Sequence, residues 1–98
     1  MNRELNNNRV DNTDKMDLSI VSVTEGEVLK KSCFAIQLPA SDGQITVLRN
    51  HKNIVTNLTD GLLMILDKEF SVVDKFSIEV DGAIAKITAD KCVVLLMS

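Results

Sequence analysis

What most constrains this chain is its punctuation. Short runs of alternating or β-branched apolar residues are cut by turn-forming groups roughly every eight to twelve residues, the spacing of an all-β sandwich or barrel. Leu18, Ile20, Val21 and Val23 form a first run that stops at Glu25-Gly26. Val28 and Leu29 begin a second, with Lys30-Lys31 marking an exposed edge or a turn. Phe34, Ile36 and Leu38 then alternate with Ala35 and Gln37, and Pro39 is expected to end that strand because it cannot donate to a ladder. Ser41-Asp42-Gly43 reads as a tight turn, followed by Ile45 and Val47 alternating with Thr46 and Leu48. Beyond the polar loop 49–53 come Ile54, Val55 and Leu58, then Asp60-Gly61, a hairpin-type turn signal. The solid run Leu62 to Leu66 suggests a strand covered on both faces. Asp67-Lys68-Glu69 turns the chain before a short strand at Phe70 and Val72. Phe76, Ile78 and Val80 alternate up to an Asp81-Gly82 turn. Ile84 and Ile87 lead into a hairpin at Ala89-Asp90-Lys91, and Cys92 to Met97 is a last buried run. The expectation is an all-β fold, a flattened β-sandwich of about nine or ten short strands. No window holds a 3.6-residue period, so no long helix is expected.

A length of 98 residues suits one domain. Residues 1–15 hold only Leu5 and Val10 as sizeable apolar groups, too little to offset ordering entropy, and read as a disordered polar leader before a sandwich over 16–98. With 45% hydrophobic but 3% aromatic residues and neither Trp nor Tyr, the core must be aliphatic. The net charge is −3, with acids and bases mixed along the chain. The lack of a basic patch and of stacking aromatics argues against a nucleic-acid binder. No run approaches the roughly 18 to 20 apolar residues of a membrane span, and the Asn-rich start has no signal-peptide core. Contact with a membrane would come only through a complex.

Chemistry-bearing constellations are missing. Cys33 and Cys92 lie inside apolar runs and read as small buried hydrophobes in a reducing compartment, ahead of a disulfide or metal pair. Zinc would want four ligands, and the chain has 2 Cys and 1 His. His51 lacks the nucleophile it would activate and the carboxylate that would orient it, so a structural or interface role is favoured. The glycines are isolated in turns and build no phosphate cradle. No catalytic residue, metal or cofactor is expected, and a small enzyme with an unrecognised site ranks last.

The ordered series of turns and strands resembles the epsilon subunit of F-type ATP synthases, in its N-terminal β-sandwich domain. Leu18, Ile20, Val21 and Ser22 match the opening strand. Leu38-Pro39, the Ser41-Asp42-Gly43 turn, and Ile45, Val47 and Leu48 follow in register. His51 falls on the family's histidine, Thr56 on its threonine and Gly61 on the glycine of its second turn. Asp81-Gly82 with Ile84, and then Val94-Leu95, align with later segments, so the resemblance covers residues 17–97. There are departures. Asn50 replaces a glycine and Lys52-Asn53 an Ala-Pro pair, Gln44 stands where Glu is frequent, and Ala83 replaces a second glycine.

The resemblance implies a non-catalytic central-stalk subunit that binds the gamma subunit and the proteolipid ring and couples proton transport to ATP synthesis. It also implies a peripheral location on the cytoplasmic face of the bacterial inner membrane. Ser41, Asp42, Gly43 and Gln44, with Asn50, His51, Lys52 and Asn53, are the candidate interface for gamma or the ring. The family's C-terminal helical hairpin is either missing from this lineage or lies beyond the sequence, so neither an ATP site nor hairpin inhibition is expected. The alternative, from a different class, is a stand-alone β-sandwich interaction module, since one such surface can serve many partners.

Overall fold

A computed structural model describes residues 15–79 and 82–97. The expected leader, apart from Lys15, lies outside them, as do Val80 and Asp81. Nine strands run through the described residues: β1 (Met16–Ser22), β2 (Gly26–Cys33), β3 (Ala35–Ala40), β4 (Gly43–Leu48), β5 (Ile54–Leu58), β6 (Gly61–Leu66), β7 (Val72–Ile78), β8 (Ala83–Ile87) and β9 (Lys91–Leu96). They form one continuous hydrogen-bonded sheet in the order β2-β1-β9-β8-β5-β3-β6-β7, with β4 on the other edge of β3. The sheet curls into two layers, β2-β1-β9-β8-β5 and β4-β3-β6-β7. β3 joins them: its first half pairs with Met64–Leu66 of β6, and its last residue, Ala40, pairs with Leu58 of β5. All neighbours are antiparallel except β1 and β9.

Period-two alternation places the core. Across the first layer the register aligns Leu18, Cys92, Ile87 and Ile54 in one inward row and Ile20, Val94, Ala85 and Thr56 in the next. Leu38, Ile36, Val47, Leu63, Ile65 and Ile78 face them from the second layer and are buried. Burying a side chain of this size contributes about 1.5–3 kcal/mol, which lets a nearly aromatic-free core hold the layers together. The edge strands β2 and β7 each carry a bulge, because Val28 and Val73 have no partner in ladders that step from Leu29 to Glu27 and from Val72 to Asp74. Bulges blunt edges against pairing with other chains. Between these edges the Lys31 ammonium donates to the Asp74 carboxylate at 2.7 Å, an ion pair that bridges the layers.

Several expectations need correction. Pro39 does not end its strand; β3 runs on to Ala40, with Pro39 opposite Gln44. Its carbonyl accepts from the Thr59 amide at 2.8 Å, so its nitrogen faces the gap where pairing passes from β6 to β5 and no donor is needed. Asp60-Gly61 is not a hairpin, because β5 and β6 do not pair and the chain crosses there between layers. A Cβ on Gly61 would lie 3.2 Å from the Pro39 Cβ, so the glycine serves a close approach. β6 is not covered on both faces, since Leu62 is 45% exposed. Phe70 belongs to the turn, with φ +61, and Val72 to Ile78 form a single strand. The last run, likewise, is buried only at alternate residues, with Val93 and Leu95 half-buried.

Candidate partner-binding surfaces

The strand pairings sort the connections into two groups at opposite ends of the sandwich. At one end lie 23–25, 41–42, 59–60, Glu79 and Gly82, as the pairs Ser22–Gly26, Ala40–Gly43, Ala40–Leu58, Gly61–Ile78 and Leu58–Ala83 require. At the other lie 49–53, 67–71 and 88–90, beside Lys15.

Ser41 and Asp42 make the β3–β4 turn. Both the Ser41 amide and its hydroxyl donate to the Asn57 carbonyl, at 3.0 and 3.2 Å, tying the turn to β5. Gly43, at φ +120, takes a backbone angle that L residues rarely adopt. Asp42, Gly43 and Gln44 are exposed. Beside them the β1–β2 turn is held by the buried Ser22 hydroxyl, which accepts from the amides of Thr24 and Glu25 at 3.1 and 3.2 Å. Among the described residues this end carries Glu25, Asp42, Asp60 and Glu79, all exposed, with no Lys or Arg in its connections. It is an acidic face.

Asn50 to Asn53 sit at the other end of β4. Six strand residues, at about 3.4 Å each, set this loop about 20 Å from the Ser41–Asp42 turn. The fold therefore does not gather the eight candidate residues into one patch. Asn50 has φ +70, and its amide donates to the Ala89 carbonyl. Asn tolerates the left-handed region better than other non-glycine residues, so Asn50 can take a conformation otherwise suited to glycine. The His51 amide donates to the Leu48 carbonyl at 3.2 Å, and its Nδ1 lies 2.8 Å from the Lys52 carbonyl oxygen, to which it can donate. Arg49 donates to the Lys15 carbonyl at 3.1 Å. Lys52 and Asn53 are exposed.

Sequence reasoning missed a second surface. On the outer face of the first layer Val21, Leu95 and Ile84 align in one half-buried row. Val93, Lys86 and Val55 form the next row, and Val55 is 67% exposed. Consecutive apolar residues, Ile20-Val21 and Val93-Val94-Leu95-Leu96, were its signal: in a strand such a run makes both faces apolar.

Neither cysteine is poised for bond chemistry. Burial pushes the Cys33 thiol up to about 11 and the Cys92 thiol up to about 12, which keeps both protonated near neutrality. They are free and buried. Two strand spacings and two residues separate them across β1, too far for a disulfide. Among the described residues no group of three or more His, Cys, Asp or Glu is placed to hold a metal, and no helix is long and apolar enough to cross a membrane.

Comparison with known proteins agrees with this geometry. Residues 15–98 match the family described as ATP synthase, Delta/Epsilon chain, beta-sandwich domain. The ATP synthase epsilon chain of Campylobacter hominis is 30% identical over 82 residues, covering 84% of this chain and 61% of the relative. That of Aliarcobacter butzleri is 36% identical over 90 residues, covering 80% and 70%. The chain thus spans about three-fifths to seven-tenths of the length of these curated relatives. Among solved structures, a chain of the Euglena gracilis mitochondrial ATP synthase (OSCP/F1/c-ring, rotational state 1) superposes with a TM-score of 0.71 at 19% identity, over 87% of this chain and 52% of that one. A chain of the Tetrahymena thermophila mitochondrial ATP synthase central stalk and c-ring gives 0.62 at 17%, over 86% and 64%. At such identities the structural likeness is one of fold. The family match spans every described strand, and the chain belongs to the β-sandwich family of ATP synthase delta/epsilon chains.

Proposed function

We propose that this domain is a non-catalytic rotor part of a bacterial F-type ATP synthase, joined to the gamma subunit and seated on the proteolipid ring. It works at the cytoplasmic face of the inner membrane and needs no cofactor. Proton-driven turning of the ring reaches the catalytic head only if the parts between do not slip. A sheet hydrogen-bonded continuously through nine strands, with an ion pair across its open edges, suits that task.

The observation that carries the reading is the acidic end. Glu25, Asp42, Asp60 and Glu79 give it one sign of charge, fitted to a basic ring surface, with the Ser41–Gln44 turn at the contact. The opposite end, with Asn50, His51, Lys52 and Asn53, then points away from the ring. That loop and the outer-face residues Val21, Leu95, Ile84 and Val55 are assigned to gamma.

Reconstitution with gamma and ring subunits tests this. Asp42→Lys combined with Glu25→Lys should weaken recovery with the ring while leaving gamma bound. Val55→Glu, at an exposed position, should do the reverse. ATP-driven proton pumping should fall in both. Retention of both partners by the charge-reversed variant would sink the ring assignment. Recovery of the chain alone, from cells with another complete epsilon subunit, would favour the stand-alone module.

A further inference from the structure

Three strands edge the sheet, β2, β7 and β4, and they are not alike. β2 carries the Val28 bulge with Glu27, Lys30 and Lys31, and β7 carries the Val73 bulge with Asp74 and Lys75. β4, Gly43 to Leu48, has none of these devices: its six residues include no charge, no proline and no shift of register. It is hydrogen-bonded to β3 alone. An unbroken, uncharged edge is a template for another strand.

The pairing fixes what that edge offers. Bonded and non-bonded pairs alternate along an antiparallel ladder. Pro39, opposite Gln44, has no N–H, and its carbonyl turns away to the Thr59 amide at 2.8 Å. The pair of Pro39 and Gln44 is therefore non-bonded, and Gln44, Thr46 and Leu48 aim their N–H and C=O groups away from β3. The Leu48 carbonyl accepts from the His51 amide at 3.2 Å, and the others meet no strand of this chain.

We propose that two copies of this chain join through β4, antiparallel about a twofold axis at Thr46. In that register Gln44 faces Leu48 of the second copy, Thr46 faces itself, and about six N–H···O bonds form. The side chains agree with it. Thr46 is exposed and meets its own hydroxyl, a favourable cross-strand pair. On the core side the half-buried Ile45 meets Val47 of the second copy. Charge selects the same occupant. Opposed strands set the Asp42 turn of each copy against the 49–53 loop of the other, which holds Arg49 and Lys52 and no acid. Arg49 keeps its charge while donating to the neutral Lys15 carbonyl, and Asp90, in the turn that Asn50 touches, offsets only one of the two cations. A six-residue edge is smaller than the roughly 1,200 Å² of a lasting interface, so the pair is transient, half-formed at about 0.1–1 mM. It concerns the chain free of other subunits, so its failure would leave the rotor reading untouched.

Sedimentation equilibrium of the whole chain from about 20 μM to about 2 mM, with amide spectra at the same concentrations, tests it. The mean mass should rise from one copy toward two, and amide shifts should gather at Gln44, Thr46 and Leu48. Thr46→Lys and Thr46→Glu should each weaken association about fivefold, because the axis sets like charges opposite. An equimolar mixture of the two should associate about tenfold more tightly than either alone, which requires a strand that faces itself at this residue. Val73→Lys, on a bulged edge, should leave association unchanged. The same spectra report whether each variant is folded. A chain that stays single at the highest concentration, a mixture no tighter than its parts, or shifts centred on β2 or β7 would overturn the proposal. A chain that stays single while its β4 amides shift on adding gamma would assign the edge to gamma and overturn it too.

Discussion

Gly61→Ala should be among the most damaging single-methyl additions in this chain. Gly61 has φ +154, and its added Cβ would meet the Pro39 Cβ at 3.2 Å. Two costs combine. A sparsely populated backbone angle costs an L residue about 1–3 kcal/mol. Forcing a methyl against a buried, rigid proline ring inside β3 costs about 1–3 kcal/mol more, because the layer junction has little room to relax. The sum, about 2–6 kcal/mol, is a large share of the 5–15 kcal/mol that typically holds a domain together, here about 98 residues long. Gly26→Ala is the control. It has φ +79, but its Cβ would meet nothing within 4 Å, so only backbone strain of about 1–2 kcal/mol is expected. Urea unfolding followed by far-UV circular dichroism measures both. The contact is isolated by repeating Gly61→Ala in a Pro39→Gly background, where the facing Cβ is gone. The cycle should return a coupling of about 1–3 kcal/mol. If Gly61→Ala costs no more than Gly26→Ala, or the cycle shows no coupling, the close approach does not set this corner.

Other expectations follow from the same packing. Cys92 has its thiol raised from 9.0 to about 12, so its folded form holds the proton longer than the unfolded chain. Its contribution is whole below about pH 9 and is lost as pH rises toward 12, at about 1.4 kcal/mol per pH unit and no more than about 4 kcal/mol in all; Cys92→Ala should flatten that alkaline fall, measured by urea midpoints between pH 8 and 11. The Lys31 ammonium holds the Asp74 carboxyl below its usual 3.8, so the pair's stabilisation is present above about pH 4 and lost as pH falls further. Asp74→Asn should accordingly lower the melting midpoint at pH 7, lower it less in high salt, and lower it progressively less as pH falls below about 4. Asn50→Ala should cost about 1–2 kcal/mol because φ is +70, whereas Asn50→Gly should be near neutral by the same unfolding assay.

What the sequence revealed and hid follows from the range of each interaction. Alternation and turn chemistry act over a few residues, so most strands and the turns at Ser41-Asp42 and Asp67 to Glu69 were legible. Asp60-Gly61 misled because its glycine answers Pro39 in another strand, a contact no local rule contains. Phe70 misled for a related reason. Asp67 Oδ1 accepts from the amides two and four residues on, and the Phe70 amide closes on the Asp67 carbonyl, holding a bulky residue at φ +61. Its ring meets that of Phe34 edge-on at 5.9 Å, a pair worth about 0.5–1.5 kcal/mol that offsets part of the backbone strain.

The charge pattern shows the larger limit. Along the chain acids and bases look interleaved, because each antiparallel strand carries the sequence from one end of the sandwich to the other. Folding undoes the interleaving: Glu25, Asp42, Asp60 and Glu79 fall together, while Lys15, Arg49, Lys52 and Lys68 fall at the far end among Asp67, Glu69 and Asp90. A net charge of −3 therefore conceals a domain with a strong electrical direction. Such a direction has a mechanical use. A body placed between two partners must enter in one orientation, and a charge dipole along its strands favours that orientation during approach, before any close contact forms. Because exposed charges are screened beyond about 8–10 Å near physiological salt, orientation by this dipole weakens as salt rises, whereas contacts through Val21, Leu95 and Ile84 do not. On the proposed rotor reading, the two ends and the apolar face would act at different stages of docking: charge would select the orientation, and apolar contact would hold it.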